Sequence, residues 1–288
     1  MSRHEDRGSS GRVIAAVLVT LTAVAAAPAY AFDSIPWVRG PTGAALGDVA
    51  GIRVPEGFVF TGEDDVERLM EQMENPATGD EIGFLAPAGF LSEEPGDDNW
   101  YLLFEFVEVG HVSEAEQVTL DAGAIFDRLR EINTSVSEER RKRGWETLEL
   151  ADWAAPPVYD PAARALTWAL RFREPSGEVV ENHFCCRLGR RGVMSVTLGA
   201  AAGVAAAAGP RMRELLDGLS FLPGHDWGDF EAGDEVFEPG LAGLILGQRS
   251  SGLPAFLGRW RLILMGFVLV AALAAALVFW RKRQPPVA

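Results

Sequence analysis

The chain has 288 residues, with 26 basic and 41 acidic side chains, a formal net charge of −15 and 48% hydrophobic residues. So acidic a surface excludes nucleic acid as a partner, because phosphates select for lysine and arginine; it favours cations or basic partners instead. The only two cysteines, Cys185 and Cys186, are adjacent, which excludes a scaffold of disulfide staples and leaves the core to hold by burial alone.

Arg3, Arg7 and Arg12 precede an apolar stretch from Val13 to Ala27, which leads into Ala29-Tyr30-Ala31. A basic start, a short apolar core and a small-residue site predict a secretory signal peptide over residues 1–31, cleaved before Phe32. Retained instead, the stretch would be a second spanning helix. Residues 32–247 then make one extracytoplasmic domain. Between the leader and Arg259 lie 18 basic and 39 acidic groups, a formal charge of −21.

Within that domain, Val54-Pro55-Glu56-Gly57-Phe58 reads as a strand ending in a turn. Glu63, Asp64 and Asp65 cap a short helix through Val66, Leu69 and Met70, with acids on its positive end, and Asn75-Pro76 closes it. Trp100–Val107 alternates as a strand, placing Trp100, Leu102, Phe104 and Phe106 on one face. Asp121 starts a longer helix with Ala122, Ile125, Leu129 and Ile132 at core spacing. It runs on into the charged 138–143, a solvated helix end.

A three-strand meander follows. Ala165–Phe172 turns Leu166, Trp168, Leu170 and Phe172 inward, with Thr167, Arg171 and Arg173 outward. The turn 174–178 leads to Val179–Leu188, and Gly189-Arg190-Arg191-Gly192 leads to Val193–Leu198. Short loops between alternating strands predict antiparallel pairing. In the middle strand Asn182, Phe184 and Cys186 share one face, and Glu181, His183, Cys185 and Arg187 the other. After an alanine-rich stretch, 200–208, Pro210 is expected to start a helix through Met212, Leu215 and Leu216. Leu219-Ser220-Phe221 reads as a last strand.

Residues 248–261 form a short juxtamembrane linker. Nineteen uncharged residues follow, Leu262 to Trp280, with Trp260 before them and Arg281-Lys282-Arg283 after. At about 1.5 Å per residue the helix spans about 28 Å, near the thickness of a bilayer's hydrocarbon core. A transmembrane helix over 262–280 and a cytoplasmic tail over 281–288 are expected. The bilayer is therefore the first expected partner, in the inner (plasma) membrane with the main domain on the periplasmic side. The expected fold class is α+β: an antiparallel sheet with packed helices, plus one C-terminal transmembrane helix.

Two places could carry chemistry. His183 and Cys185 lie two apart on one strand face near Arg171, Arg173 and Arg187, and imidazole and guanidinium groups beside a thiol favour the reactive thiolate. Loop 225–235 is dense in oxygen donors, and Asp226, Asp229, Glu231 and Asp234 could wrap a calcium ion, although their spacing is not that of the helix-loop-helix motif. His225 alone cannot build a zinc site, and His111 reads as a strand-end residue. No G-x-S-x-G, G-x-x-x-x-G-K, G-x-G-x-x-G or H-E-x-x-H occurs, so no catalytic residue, cofactor or metal is assigned. Asn133-Thr134-Ser135 is a sequon placed on a helix.

A series of short matches carries a resemblance. It runs through Trp37-Val-Arg-Gly-Pro41, Val54-Pro55, Glu74-Asn-Pro76, Phe104-Glu-Phe106, Gly110, Val112-Ser-Glu-Ala115, Leu120-Asp-Ala122 and Gly144-Trp145. It continues through Trp153, Pro157, Tyr159, Trp168-Ala169, Asn182, Leu188-Gly-Arg-Arg-Gly192, Phe230, Gly233-Asp234 and Gly240-Leu-Ala242. In this order the chain resembles the bacterial family of predicted membrane-anchored proteins called domain of unknown function 2167. The family tends to have tyrosine where this chain has His111 and Trp227, and an alanine and a tyrosine where it has Glu238-Pro239. The resemblance implies topology and no activity. In fold alone the chain is similar to the PsbP-like α/β/α sandwiches, through its V-P-x-G-F opening and closing L-L-D-G-L-S-F.

Two functional classes follow. One is a non-enzymatic binding or assembly module at the cell envelope with a protein partner. The other is an envelope enzyme using loop 225–235 or the His183/Cys185 strand face.

Overall fold

The computed structural model describes residues 32, 34–72, 79–92, 96–114, 120–142, 147, 149–173, 175, 177, 179–200 and 203–248. The expected signal peptide, transmembrane helix and cytoplasmic tail lie outside the described residues, as do 249–261 of the linker and the stop at Asn75-Pro76. Among the described residues no helix is long and apolar enough to cross a membrane.

In chain order the first half comprises β1 (Val38–Arg39), β2 (Thr42–Leu46), β3 (Ala50–Val54), β4 (Phe58–Gly62), α1 (Glu63–Gln72), β5 (Glu81–Pro87), β6 (Trp100–Val107) and β7 (His111–Val112). The second comprises α2 (Ala122–Lys142), β8 (Glu149–Asp160), β9 (Ala165–Arg173), β10 (Val179–Leu188), β11 (Val193–Ala200), α3 (Ala205–Leu216), β12 (Leu219–Phe221), β13 (Val236–Phe237) and α4 (Gly240–Ile245). The class is α+β, built on a large antiparallel sheet, as the alternating strands imply.

That sheet has eight strands in the order β1-β4-β5-β6-β11-β10-β9-β8. The chain leaves β6 and crosses by α2 to the far edge at β8, a lateral distance of roughly 19 Å at about 4.8 Å per strand. The meander β8-β9-β10-β11 then winds back until β11 pairs with β6, setting Leu198 opposite Leu102 and Val196 opposite Phe104. A three-stranded sheet, β12-β3-β2, and a two-stranded parallel pair, β13-β7, complete the topology.

Both faces of the large sheet are buried, so the meander's "outward" face is not wholly solvent. On the first face Leu85, Trp100, Leu102, Phe104, Met194, Val196, Leu198 and Cys185 share a core with β3, α3 and β12. On the second face α1 covers Phe84, Tyr101 and Leu103, while α2 and α4 cover Leu166, Trp168, Leu170, Phe172 and Cys186. Asn133, read as a sequon, has a structural use instead: it is buried and its Oδ1 accepts from Leu150 N–H at 3.0 Å, tying α2 to β8.

The strand ending in a turn at 54–58 is present: β3 ends at Val54, and the turn to β4, which lies in the other sheet, is closed by Phe58 N–H to Pro55 O at 3.2 Å. One local expectation is corrected. The third helix starts at Ala205 and holds Pro210 in its interior. Alanine is the best helix former, and Ala205 and Ala208 are buried with Met212 along the same helix; this outweighs the one backbone hydrogen bond that Pro210 forfeits.

The long edge strand β8 carries Pro156 and Pro157, and its register against β9 shifts three times. Missing donors and bulges spoil the template for a further strand, which guards this edge against pairing.

Candidate functional site

The loop rich in carboxylates is built against the β10–β11 turn. Gly189 N–H bonds Gly192 O at 2.9 Å, and Arg190 N–H bonds His225 O at 2.9 Å. Glycine is required at 192, because a Cβ there would lie 2.3 Å from Val107 O. The turn thereby sends the Arg190 side chain into the loop. Its Nε meets Asp234 Oδ2 at 2.8 Å and its Nη2 meets Asp234 Oδ1 at 3.2 Å, a bidentate pair, while Nη2 also reaches Glu231 Oε2 at 2.9 Å.

The remaining oxygens face their own backbone. Asp226 Oδ1 accepts from Gly228 N–H at 2.9 Å. Asp229 Oδ2 accepts from Gly224 N–H at 2.9 Å and Asp226 N–H at 3.1 Å. Asp234 Oδ2 also accepts from Glu231 N–H at 2.9 Å. Asp226, Asp229, Glu231 and Asp234 are thus distributed around a guanidinium and three turns, and among the described residues no group of three or more such side chains could hold a metal ion. Hydrogen bonds from Arg190, then from the Glu231 backbone, hold the Asp234 carboxyl down at about 2. Hydrogen bonds to the Asp234 carboxylate, then to that of Glu231, push Arg190 further above its ordinary value.

A depressed carboxylate stabilises the fold above its unfolded value, near 4, and loses that contribution as pH falls through its folded value. The stability difference between the wild type and Asp234→Asn is therefore expected to be constant above about pH 5 and to shrink between about pH 4 and pH 2. Urea midpoints measured across that range check this. A gap that stays constant to pH 2 would contradict it.

Beside the clasp lies an aromatic stack. β7 pairs in parallel with β13, placing His111 opposite Val236, and His111 N–H bonds Glu235 O at 2.7 Å. The buried imidazole centroid is 4.3 Å from Phe230 and 4.9 Å from Trp227. Trp227 Nε1 donates to Val112 O at 2.8 Å, and Arg164 lies 4.3 Å over the Trp227 ring. Arg164 has φ 46°, a left-handed backbone uncommon for a residue with a side chain. Its Nε is 3.7 Å from Glu114 Oε1, which also accepts the Tyr159 hydroxyl. Burial lowers the His111 pKa, so the ring is neutral at neutral pH; burial and the bond to Glu114 raise that of Tyr159.

His183 and Cys185 do share the first face, but α3 lies over it: a Cβ on Gly209 would sit 3.3 Å from His183 Nδ1. Cys185 is 4% exposed, and burial pushes its thiol up to about 12. Among the described residues no hydrogen bond joins the imidazole to the thiol. His183 Nε2 instead faces Glu181 at 3.5 Å, and burial lowers its pKa. Of the arginines expected nearby, Arg171 pairs with Glu181 at 2.8 Å and Arg187 donates to Leu216 O at 3.2 Å. Cys186 is buried on the second face with its thiol pushed up by burial.

A family model described as "Protein of unknown function (DUF2167)" matches residues 38–277. The chain belongs to this family. Several residues by which the chain resembles DUF2167 gather at the clasp and the stack: Gly110, Val112, Glu114, Tyr159, Gly189 to Gly192, Phe230 and Asp234. His111 and Trp227, where the resemblance implied tyrosine, touch one another in that stack. Arg164 had no signal in the sequence, since its role depends on a left-handed turn between β8 and β9. No curated protein matches. Among solved structures, the chain is similar to cyanobacterial PsbP (CyanoP) from Synechocystis sp. PCC 6803, at 9% identity and a TM-score of 0.37, over 64% of this chain and 95% of that one. So slight a likeness supports no argument about fold or function.

Proposed function

We propose that this DUF2167 protein is a non-enzymatic binding or assembly module at the cell envelope. In this reading residues 1–31 export the chain, Leu262–Trp280 holds it in the inner membrane, and the α+β domain works on the extracytoplasmic side with a protein partner. One observation carries the non-enzymatic part: the groups with catalytic or metal-binding chemistry are occupied in holding the fold. The loop carboxylates engage Arg190 and backbone N–H groups, Cys185 is buried and poorly ionised, and His183 faces Glu181 under α3.

The test is crosslinking in intact cells followed by purification of the full anchored chain. The expected result is a stable protein partner, together with a melting temperature that calcium and other divalent ions leave unchanged. Absence of any partner, combined with a metal-dependent rise in melting temperature, would replace this reading with the envelope enzyme acting through loop 225–235.

A further inference from the structure

On the first face, a groove of about 390 Å³ opens between the β3–β4 turn, the short helix Gly96–Asp98 and α3. Its volume falls within the range of about 300–1,000 Å³ common for ligand sites. Its floor is aromatic: Phe58 and Trp100 pack edge to face with centroids 5.9 Å apart. The far wall, from α3, is made of small side chains, Ala207 and Ala208. The near rim carries the carboxylates of Glu56, Asp97 and Asp98.

These carboxylates sit on backbone turns that fix their place. Gly57 has φ 82° and its carbonyl accepts Ala88 N–H at 2.8 Å, while Asn99 N–H closes on Gly96 O at 3.2 Å. Among the described residues none of the three carboxylates has a hydrogen bond or ion pair. This contrasts with loop 225–235, where the acids are engaged. Among the described residues the one cation on the rim is Arg211, which lies 6.0 Å over the Phe58 ring and is already paired with Glu214 at 3.0 Å.

We infer that this groove receives an arginine side chain from a partner protein, an inference that rests on the domain being a binding module. Unpaired carboxylates on one rim can take a guanidinium fork bidentately, and the weakly hydrated guanidinium plane and its methylene stem suit an aromatic floor beside alanines. The formal charge of −21 on residues 32–258 steers a basic segment toward it.

The test uses the full chain in a neutral detergent with a fluorescein-labelled Gly-Arg-Gly-Arg-Gly peptide, read by anisotropy at low salt, and its citrulline counterpart. Citrulline keeps the shape and removes the charge. Saturable binding is expected for the arginine peptide alone, weakened at least fivefold by Asp97→Asn with Asp98→Asn, and lost in Ala207→Trp, which fills the groove from an exposed position. The charge-matched pair Asp127→Asn with Glu131→Gln, on α2 over the other face, is expected to change it less than twofold. Equal weakening by both pairs would reduce the effect to general charge attraction and overturn the inference, as would equal binding of the citrulline peptide or no saturable binding. A partner recovered from cells despite those results would leave the binding-module reading standing without this groove.

Discussion

Phe104→Ala and Phe172→Ala are each expected to destabilise the domain by about 3–5 kcal/mol, and each to shift one and the same unfolding transition. Both rings are fully buried, but on opposite faces of the eight-stranded sheet: Phe104 in the core under β3 and α3, Phe172 in the core under α2. Deleting either ring loses its transfer free energy and leaves a cavity the packed sheet fills only in part. Strands β6 and β9 are joined through β10 and β11, so neither core can come apart while the other keeps its register. Urea unfolding followed by tryptophan fluorescence and far-UV circular dichroism would show coincident curves. Two separated transitions in either variant would mean that the faces are independent units and that the sheet is not the common frame.

Trp227→Ala is expected to cost about 2–4 kcal/mol and to make residues 222–237 the first site of proteolytic nicking. The ring is half-buried, which places the loss below that of a central core residue. It does, however, do three things at once. Its Nε1–H satisfies Val112 O, its lower face packs on buried His111, and Arg164 lies over the ring. A hydrogen bond is worth about 1 kcal/mol and a cation over an exposed ring about 0.5–1 kcal/mol, with apolar burial supplying the rest. Limited proteolysis with mass mapping checks the location. Cleavage beginning elsewhere, with little loss of stability, would show that the stack does not hold the loop. Trp227→Phe keeps the packing but not the donor, and is expected to fall between the two.

The strands easiest to read from the chain were those with strict alternation over buried positions. Trp100–Val107 and the 165–198 meander pair as their apolar faces imply, because a one-residue slip would turn Leu166, Trp168, Leu170 and Phe172 to the wrong side. β8 is quiet in the sequence for physical reasons. It is a bulged edge strand with two prolines and no consistent apolar face, so it carries little of the period-two signal. The β2–β3 hairpin is similarly quiet, since Thr42-Gly43-Ala44-Ala45 offers small side chains to a thin second sheet. Proline at a helix start is the common case, but here burial of the alanines before Pro210 sets the boundary.

The same logic applies to the site. A run of aspartates and glutamates reads as an excess of oxygen donors as long as the cation that meets it is not adjacent. Here Arg190 lies 44 residues before Asp234, and only the sheet brings them together. Tyr159 and Glu114 are 45 residues apart and meet by the same means. The strand period placed His183 and Cys185 correctly on one face. What it omitted was α3, whose Gly209 closes over that face and turns a plausible nucleophile into core. Composition shows that acids outnumber bases; separating engaged carboxylates from those of Glu56, Asp97 and Asp98, which have no partner among the described residues, requires three dimensions.

The central claim is that the reactive-looking groups of this domain belong to its architecture. Thiol titration of the full chain with a chromogenic disulfide near pH 8, before and after adding denaturant, tests it most directly. With Cys185 buried and its thiol pushed up to about 12, neither cysteine should react in the native state beyond the rate of spontaneous opening, and two should react in denaturant. His183→Ala should leave that pattern unchanged. A native thiol that reacts within seconds and slows when His183 is removed would contradict the account and put a nucleophile where the structure places core.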